Sequence, residues 1–301
     1  MNETDFLIRG LLKKENIRFA FVDTTSTVTT GIKIHDTDPV ASKVFAEAIT
    51  SAALLAPLLE DSEKYSIRWD YPHGKLKGLL ADVNASNDIR ALIKQPYLMN
   101  RVQSEDDIYG KKDGYVSIIK SQKGKILNSG KTRAGLANPA SDAGFFFSVS
   151  DQIETELVVS ISFNPDPEKP VKRCCGLLFQ AMPDCDLKLF SVYRERINTP
   201  EFRNMLIQEM PIEKQLWSLL SYAADKKSYS ANSNDISYEF SASPGFRCNC
   251  SKAKMKQALV TLGKADLKKI FEKNEISPKI MCQFCRKQYT FKSADFKDLL
   301  K

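Results

Sequence analysis

The stretch Cys248-Asn249-Cys250, followed by 31 residues and then Cys282-Gln283-Phe284-Cys285, decides how this chain is read. Two close cysteine pairs, separated by enough chain to fold back on itself, are the pattern of four thiolates around one Zn²⁺. The spacer has structure of its own. Ser251 to Leu262 places Met255, Leu259 and Leu262 at helical spacing and stops at Gly263, a residue suited to helix ends. Asp266 to Lys273 reads as a second short helix, and Lys279 to Cys282 with Gln288 to Phe291 as the arms of a hairpin knuckle. The only histidines, His35 and His73, lie far upstream. The candidate metal ligands are therefore Cys248, Cys250, Cys282 and Cys285 alone. A plain zinc ribbon is the alternative, although ribbons more often place two to four residues between paired cysteines. A thioredoxin-like Cys-x-x-Cys would stand beside a βαβ pattern, which is missing here.

Around this stretch the charge is uneven. From Pro244 onward there are 14 Lys+Arg and 5 Asp+Glu, whereas the first 243 residues are close to neutral; the whole chain carries +7. Such a basic end suits nucleic acid, or it offsets the negative charge of four thiolates on one Zn²⁺. The 301 residues suggest about two domains. With 43% hydrophobic and 27% charged residues the composition is that of a globular protein, and global disorder is excluded. No unbroken apolar run reaches the ~18–20 residues of a membrane span. Met1 to Phe19 shows acidic residues and no apolar core, so no secretory signal is expected. Seven cysteines without an export signal point to metal or redox chemistry rather than a disulfide scaffold. Two histidines argue against a His-centred catalytic triad.

Residues 1–190 read as an α+β core domain. Asn16 to Thr30 is β-branched and reads as strand. Asp38-Pro39 is a helix start, with Val40, Val44, Ala48, Ala52, Leu55 and Leu59 following at helical spacing. Tyr65, Ile67, Trp69 and Tyr71 share one face of a strand. Leu76 to Val83 and Ile89 to Ile93 continue a meander, and Tyr115 to Ile119 with Lys125 to Leu127 form another hairpin. Ser141 to Ser150 suggests a short helix, and Leu157 to Phe163 and Cys174 to Gln180 suggest strands. Cys174, Cys175 and Cys185 read as packing residues. His35 and His73 show no evident partners in sequence.

Residues 191–243 read as a linker with marginal amphipathic helices. Phe202, Leu206 and Met210, then Leu216 and Trp217, are split by Pro211 and form a candidate docking surface. Asp225 to Asp235 is polar and reads as a loop. Residues 244–301 form the cysteine domain. The expected fold class is α+β: an N-terminal sheet-and-helix domain, a metastable helical linker and a small C-terminal Cys₄ zinc domain.

Several of these segments resemble a known family. Phe246-Arg247-Cys248-Asn249-Cys250-Ser251, Leu259-Val260-Thr261-Leu262-Gly263 and Cys282-Gln283-Phe284-Cys285-Arg286-Lys287-Gln288-Tyr289 resemble the zinc end of the HslO-type redox-regulated holdase chaperones (heat shock protein thirty-three). Upstream, Thr24 to Thr30, Asp38-Pro39-Val40-Ala41, Thr50 to Leu55, Gly78 to Asp82 and Gly176 to Pro183 resemble the family's core in order. The resemblance implies an ATP-independent cytoplasmic holdase, not an enzyme, holding one Zn²⁺ per chain when reduced. It implies that oxidants convert Cys248, Cys250, Cys282 and Cys285 to two local disulfides and expel the zinc. The zinc domain and linker then unfold, freeing Phe202, Leu206, Met210, Leu216 and Trp217 as a candidate client-binding surface. Unfolding client proteins bind, and the chain forms a homodimer; no membrane is involved. Disulfides within Cys248/Cys250 and Cys282/Cys285 close very short loops, and stabilisation by a disulfide grows with loop length. The remaining alternatives are a zinc-ribbon nucleic-acid-binding protein, a thiol oxidoreductase and a purely structural zinc protein.

Overall fold

Strands β1 (Phe6–Leu12) and β2 (Ile17–Asp23) open the chain and lead into helices α1 (Thr25–His35) and α2 (Pro39–Leu55). Strands β3 (Glu63–Tyr71), β4 (Lys77–Asn84) and β5 (Asp88–Ile93) form a meander. The short helix α3 (Glu105–Tyr109) precedes the hairpin β6 (Tyr115–Gln122) and β7 (Lys125–Arg133), helix α4 (Pro139–Ser150) and the hairpin β8 (Thr155–Phe163) and β9 (Val171–Ala181). Helices α5 (Leu187–Ile197), α6 (Pro200–Leu206) and α7 (Ile212–Ala223) follow, then strands β10 (Ile236–Ser241) and β11 (Gly245–Phe246). Helix α8 (Lys252–Val260) and the hairpin β12 (Lys279–Met281) and β13 (Gln288–Thr290) end the described chain. This computed structural model describes residues 5–111, 113–225, 235–261, 263, 269 and 279–296. The chain divides into two units, Met1–Phe246 and Arg247–Lys301.

The first unit holds two sheets. One has the order β10-β1-β2-β9-β8 and is antiparallel throughout; the other has the order β11-β5-β4-β3-β6-β7, with β11 parallel to β5. Between them lies α2, started by Asp38, whose carboxylate accepts from the Ala41 N–H at 2.8 Å, with Pro39 in the first turn. Fourteen of its seventeen residues are buried, so it is enclosed on all sides rather than amphipathic. With its continuation to Leu58 it is long and apolar enough to cross a membrane, yet 83% of that stretch is buried inside the protein. One core unites the inner faces of both sheets with α1, α2 and α4. A second lies on the far face of the first sheet, where Phe19, Phe21, Leu177 and Phe179 meet α5, α6 and α7. Every residue of β9 but Lys172 is buried, because helices cover both sides of it. In β3 burial alternates along the strand, one face turned to the core and the other outward, as Tyr65, Ile67, Trp69 and Tyr71 foretell.

Three readings of the sequence need correction. The threonine-rich run is not strand: β2 stops at Asp23 and α1 starts at Thr25. Asp23 accepts from the Thr25 N–H, and the Asp5 carboxylate from the N–H groups of Ser26 and Thr27, so the first turn is capped from outside it. Thr24 and Thr50 share a buried hydrogen bond of 2.7 Å. Second, α2 ends at Leu55, short of Leu59, because Pro57 removes a donor and the chain tightens into a 3₁₀ turn at Ala56–Leu58. Third, the histidines have partners. His35 is buried, edge-on to Phe45 with Nε2 3.0 Å from the Ala91 carbonyl; His73 faces Asp113 at 3.5 Å. Strand β1 has no counterpart among the sequence-based expectations. Residues 191–243 contain most of α5, all of α6 and α7, and β10. The Asp225 to Asp235 loop lies outside the described residues except at its two ends, and so does Asp266 to Lys273 except for Lys269.

Two carboxyls sit inside the first core. Burial pushes Glu47 of α2 up to about 7, against the lowering influence of Lys43 and Arg203. Burial likewise pushes Asp142 up to about 6, although Tyr71 donates to it at 3.0 Å and Leu136 N–H at 2.9 Å. A carboxyl whose pKa rises on folding favours the folded state while protonated. Its contribution is complete below the unfolded value near 4.5 and falls as pH rises to about 7. For Glu47 the fall is on the order of 3 kcal/mol. Urea unfolding of Glu47→Gln should therefore show a flatter decline between pH 5 and 8 than the wild type. Parallel curves would mean that Glu47 titrates alike in both states.

Candidate metal centre

The second unit is built around sulfur. Among the described residues its core consists of Leu259, Cys282, Tyr289, Phe291 and Phe296, with Cys248, Cys250 and Cys285 packed against them half-buried. Ser251 caps α8, accepting from the Lys254 N–H at 3.2 Å, and so fixes the exit of the chain just after Cys250. Across the unit, the turn from β12 to β13 is closed by Cys282 N–H to Lys287 carbonyl and Arg286 N–H to Cys282 carbonyl, both 2.9 Å. Arg286 takes a left-handed conformation there (φ 59°), which turns the chain back directly after Cys285. The hairpin knuckle expected from the sequence is present, and so is the helix between the two pairs.

These elements bring Cys248, Cys250, Cys282 and Cys285 together, with all four Sγ atoms within 4.8 Å of one another. Cys250 Sγ stands 3.3 Å from Cys285 Sγ, and Cys248 Sγ 3.8 Å from Cys282 Sγ. Four sulfurs about 2.3 Å from a central ion in a tetrahedron stand about 3.8 Å apart. The cluster therefore has the dimensions, as well as the soft all-thiol donor set, of a site for a thiophilic divalent ion. Both of these approaches join one pair to the other, so a metal here would cross-link the two ends of the unit.

Tyr289 is the residue at this site to which the sequence reading gave no role. Its hydroxyl lies 3.1 Å from Cys250 Sγ. Burial pushes Cys250 up, but donation from Tyr289 and from the neighbouring thiols outweighs it and leaves the group at about 7. Burial, and hydrogen bonding to the other thiols, push Cys285 up to about 12 and raise Cys248. In the metal-free cluster one proton leaves readily, and the thiolate it creates holds the others in place. A tyrosine directly after the Cys285-Arg286-Lys287-Gln288 turn is the only trace this role leaves in the sequence.

The other cysteines are separate. Cys174 and Cys175 are fully buried and, as successive strand residues, face opposite cores. Burial pushes Cys174 up to about 12 and raises Cys175 as well, so both are poor nucleophiles. Cys185 is half-buried beside the second core. Of the docking candidates, Phe202, Leu206 and Leu216 are completely buried against the first sheet, and Trp217 is partly buried. Met210 lines a cleft of about 920 Å³ with Phe6, Ile212 and Phe240.

Comparison with known proteins agrees with this architecture. Residues 5–292 match the family described as Hsp33 protein. A 33 kDa chaperonin of Clostridium botulinum (strain Alaska E43 / Type E3) is 27% identical over 304 residues, covering 99% of this chain and 98% of the relative. One from Bacillus cereus (strain AH187) is 24% identical over 306 residues, with 99% of each covered. The crystal structure of the 33 kDa chaperonin (heat shock protein 33 homolog) of Thermotoga maritima superposes with a TM-score of 0.78. At 19% identity it covers 99% of this chain and 98% of that one and supports the fold.

In metal-free protein, iodoacetamide should modify Cys250 first, with the rate rising through a midpoint near pH 7. Tyr289→Phe should move that midpoint upward, because the thiolate loses a donor. An unchanged profile in the variant would remove Tyr289 from the site.

Proposed function

The chain belongs to the Hsp33 family, and from that premise we propose that it is an ATP-independent holdase, without enzymatic turnover, switched on by oxidation of Cys248, Cys250, Cys282 and Cys285. The observation that carries this reading is the meeting of all four sulfurs in a unit whose small core is largely made of the same residues. In the reduced protein these cysteines hold one Zn²⁺. Bound there, zinc keeps the sulfurs as thiolates and ties the two pairs together, a link worth ~10–16 kcal/mol of apparent folding energy in small domains.

Oxidation acts within each pair. The thiolates of Cys248 with Cys250, and of Cys282 with Cys285, each give two electrons to one molecule of peroxide, which takes two protons from solvent and leaves as two waters, and the Zn²⁺ is released to solvent. The new bonds close loops of a few residues and constrain the unfolded chain very little. They also remove the thiolates that any metal requires. A unit with five buried core residues among those described then has little to keep it folded. We propose the functional division as a core of residues 1–190, a linker of 191–243 and a switch of 244–301. When the linker follows the switch, Phe202, Leu206, Leu216 and Trp217 leave the first sheet, and both they and the sheet's apolar face become available to unfolding clients. Homodimerisation of the oxidised form follows from the same exposed surface. All seven cysteines are free thiols in the structure, as the reducing cytoplasm would keep them.

The test is light scattering of a thermally unfolding client protein, with zinc release followed in the same cuvette by a chromogenic chelator. Peroxide-treated protein should suppress aggregation in step with the loss of about one zinc per chain, and reduced protein should not. Cys282→Ser should bind zinc more weakly and yield to trypsin at the linker even when reduced. Zinc release without any gain in suppression would reduce the site to a structural one.

A further inference from the structure

Strand β10 is an odd member of the first sheet. It comes from the segment that follows α7, lies at the sheet's edge and pairs with β1 alone. Its six residues run antiparallel to β1 from Leu12↔Ile236 to Leu7↔Ser241. The Lys13 N–H to Asp235 carbonyl bond, 2.7 Å, sets the ladder. Alternation then turns the N–H groups of Ser237 and Glu239 toward Leu11 and Arg9 of β1.

The side chains of β10 alternate as well. Ile236 and Tyr238 lie along the second core, and Phe240 is on the same face of the strand. Tyr238 meets Trp217 edge-on at 5.4 Å, and Phe240 meets Phe6 at 6.5 Å beside the 920 Å³ cleft. On the opposite face Glu239 bonds Arg9 at 2.8 Å, next to a second cleft of about 480 Å³ lined by Arg9 and Arg18. The strand is lightly held: Phe240 is 59% exposed, and the side chains of Arg9 and Glu239 are 48% and 62% exposed. Its last residue, Ser241, is seven positions before Cys248. Its aromatic anchor, Trp217, belongs to α7.

We propose that the β1 edge is a strand-addition site for clients, filled in the resting protein by β10 as an internal stand-in. This rests on the holdase reading above and gives it a binding mode. The occupant is an extended client segment with apolar residues at alternate positions and an acidic residue between them, because that is the pattern β10 itself presents to the edge. Backbone hydrogen bonds supply affinity without demanding one sequence, and the two clefts select the alternation. The chain after β10 is held at β5 by β11 and by the Asn87 side chain, which donates to the Ala242 carbonyl. This short tether loosens when the switch melts, and departure of α7 removes the Tyr238 contact. The edge then opens only in the activated protein.

The probe is a fluorescein-labelled peptide of residues 235–242, Asp-Ile-Ser-Tyr-Glu-Phe-Ser-Ala, titrated against the full-length protein by anisotropy. Peroxide-oxidised protein should bind it about tenfold or more tightly than the reduced form. N-methylation at the residues matching Ser237 and Glu239 should weaken binding about tenfold or more, since two ladder donors are lost and the apolar side chains are kept. Glu239→Arg in the protein sets like charges across the ladder, and this reduced variant should gain peptide binding severalfold at unchanged zinc content. Equal binding of methylated and unmethylated peptide overturns the proposal. So does an oxidised protein that suppresses aggregation yet leaves the peptide unbound. If the oxidised wild type suppresses no aggregation, the holdase reading fails. The strand site is then decided by whether Glu239→Arg protein prefers the unmethylated peptide.

Discussion

Both faces of the first sheet are apolar, and this one constraint organises the molecule. Strands β2 and β9 bury Phe19, Phe21, Leu177 and Phe179 on one side and Ala20, Val22, Cys174 and Leu178 on the other. A sheet of that kind is stable in water only with two covers. The inner cover is α2, enclosed permanently between two sheets. The outer cover is α5, α6 and α7, which come from the chain just ahead of the cysteine unit. Arg173 of β9 reinforces that cover by bonding Gln215 of α7 at 2.7 Å and Asp23 of β2 at 3.3 Å. A chain that needs an apolar surface on demand can make one in this way, by removing a cover and leaving the sheet intact.

The cysteine unit is suited to control such a cover because its stability is concentrated in one place. Among the described residues Leu259, Tyr289, Phe291 and Phe296 make a small core, and Cys282 is itself among the buried residues. The sulfurs that meet across the unit, Cys250 with Cys285 and Cys248 with Cys282, come from opposite ends of it. Bonds within each pair leave those ends unconnected. In the proposed switch the same atoms would serve as tie and as sensor, and the Tyr289 hydroxyl favours the thiolate of Cys250.

What was legible in the sequence follows the range of the interactions. Asp38-Pro39 declared the start of α2, the alternation from Tyr65 to Tyr71 declared β3, and the cysteine spacing declared the site, because each is a local pattern. Thr24 to Thr30 misled because the groups that cap α1 are Asp23 and the remote Asp5, and an intrinsic preference for strand lost to them. Strand β10 was missed although Ile236, Tyr238 and Phe240 alternate with Ser237, Glu239 and Ser241: the run is short, and its partner lies more than two hundred residues upstream. The role of Tyr289 needed a distance to a sulfur, which no spacing rule supplies.

The sheet edges give a final physical contrast. Strand β7 is also an edge, nine residues long, with Ile126 and Leu127 well exposed. It carries Lys125, Lys131 and Arg133 and no acid, the charged guard that discourages pairing with another chain. Strand β1 carries one such charge, Arg9, and Glu239 of β10 neutralises it. The apolar residues Phe6, Leu7, Ile8, Leu11 and Leu12 offer nothing to repel an incoming strand. An edge so lightly guarded by its own sequence is tolerable only while another strand occupies it. Strand β10, six residues long and half exposed, is the strand that occupies it.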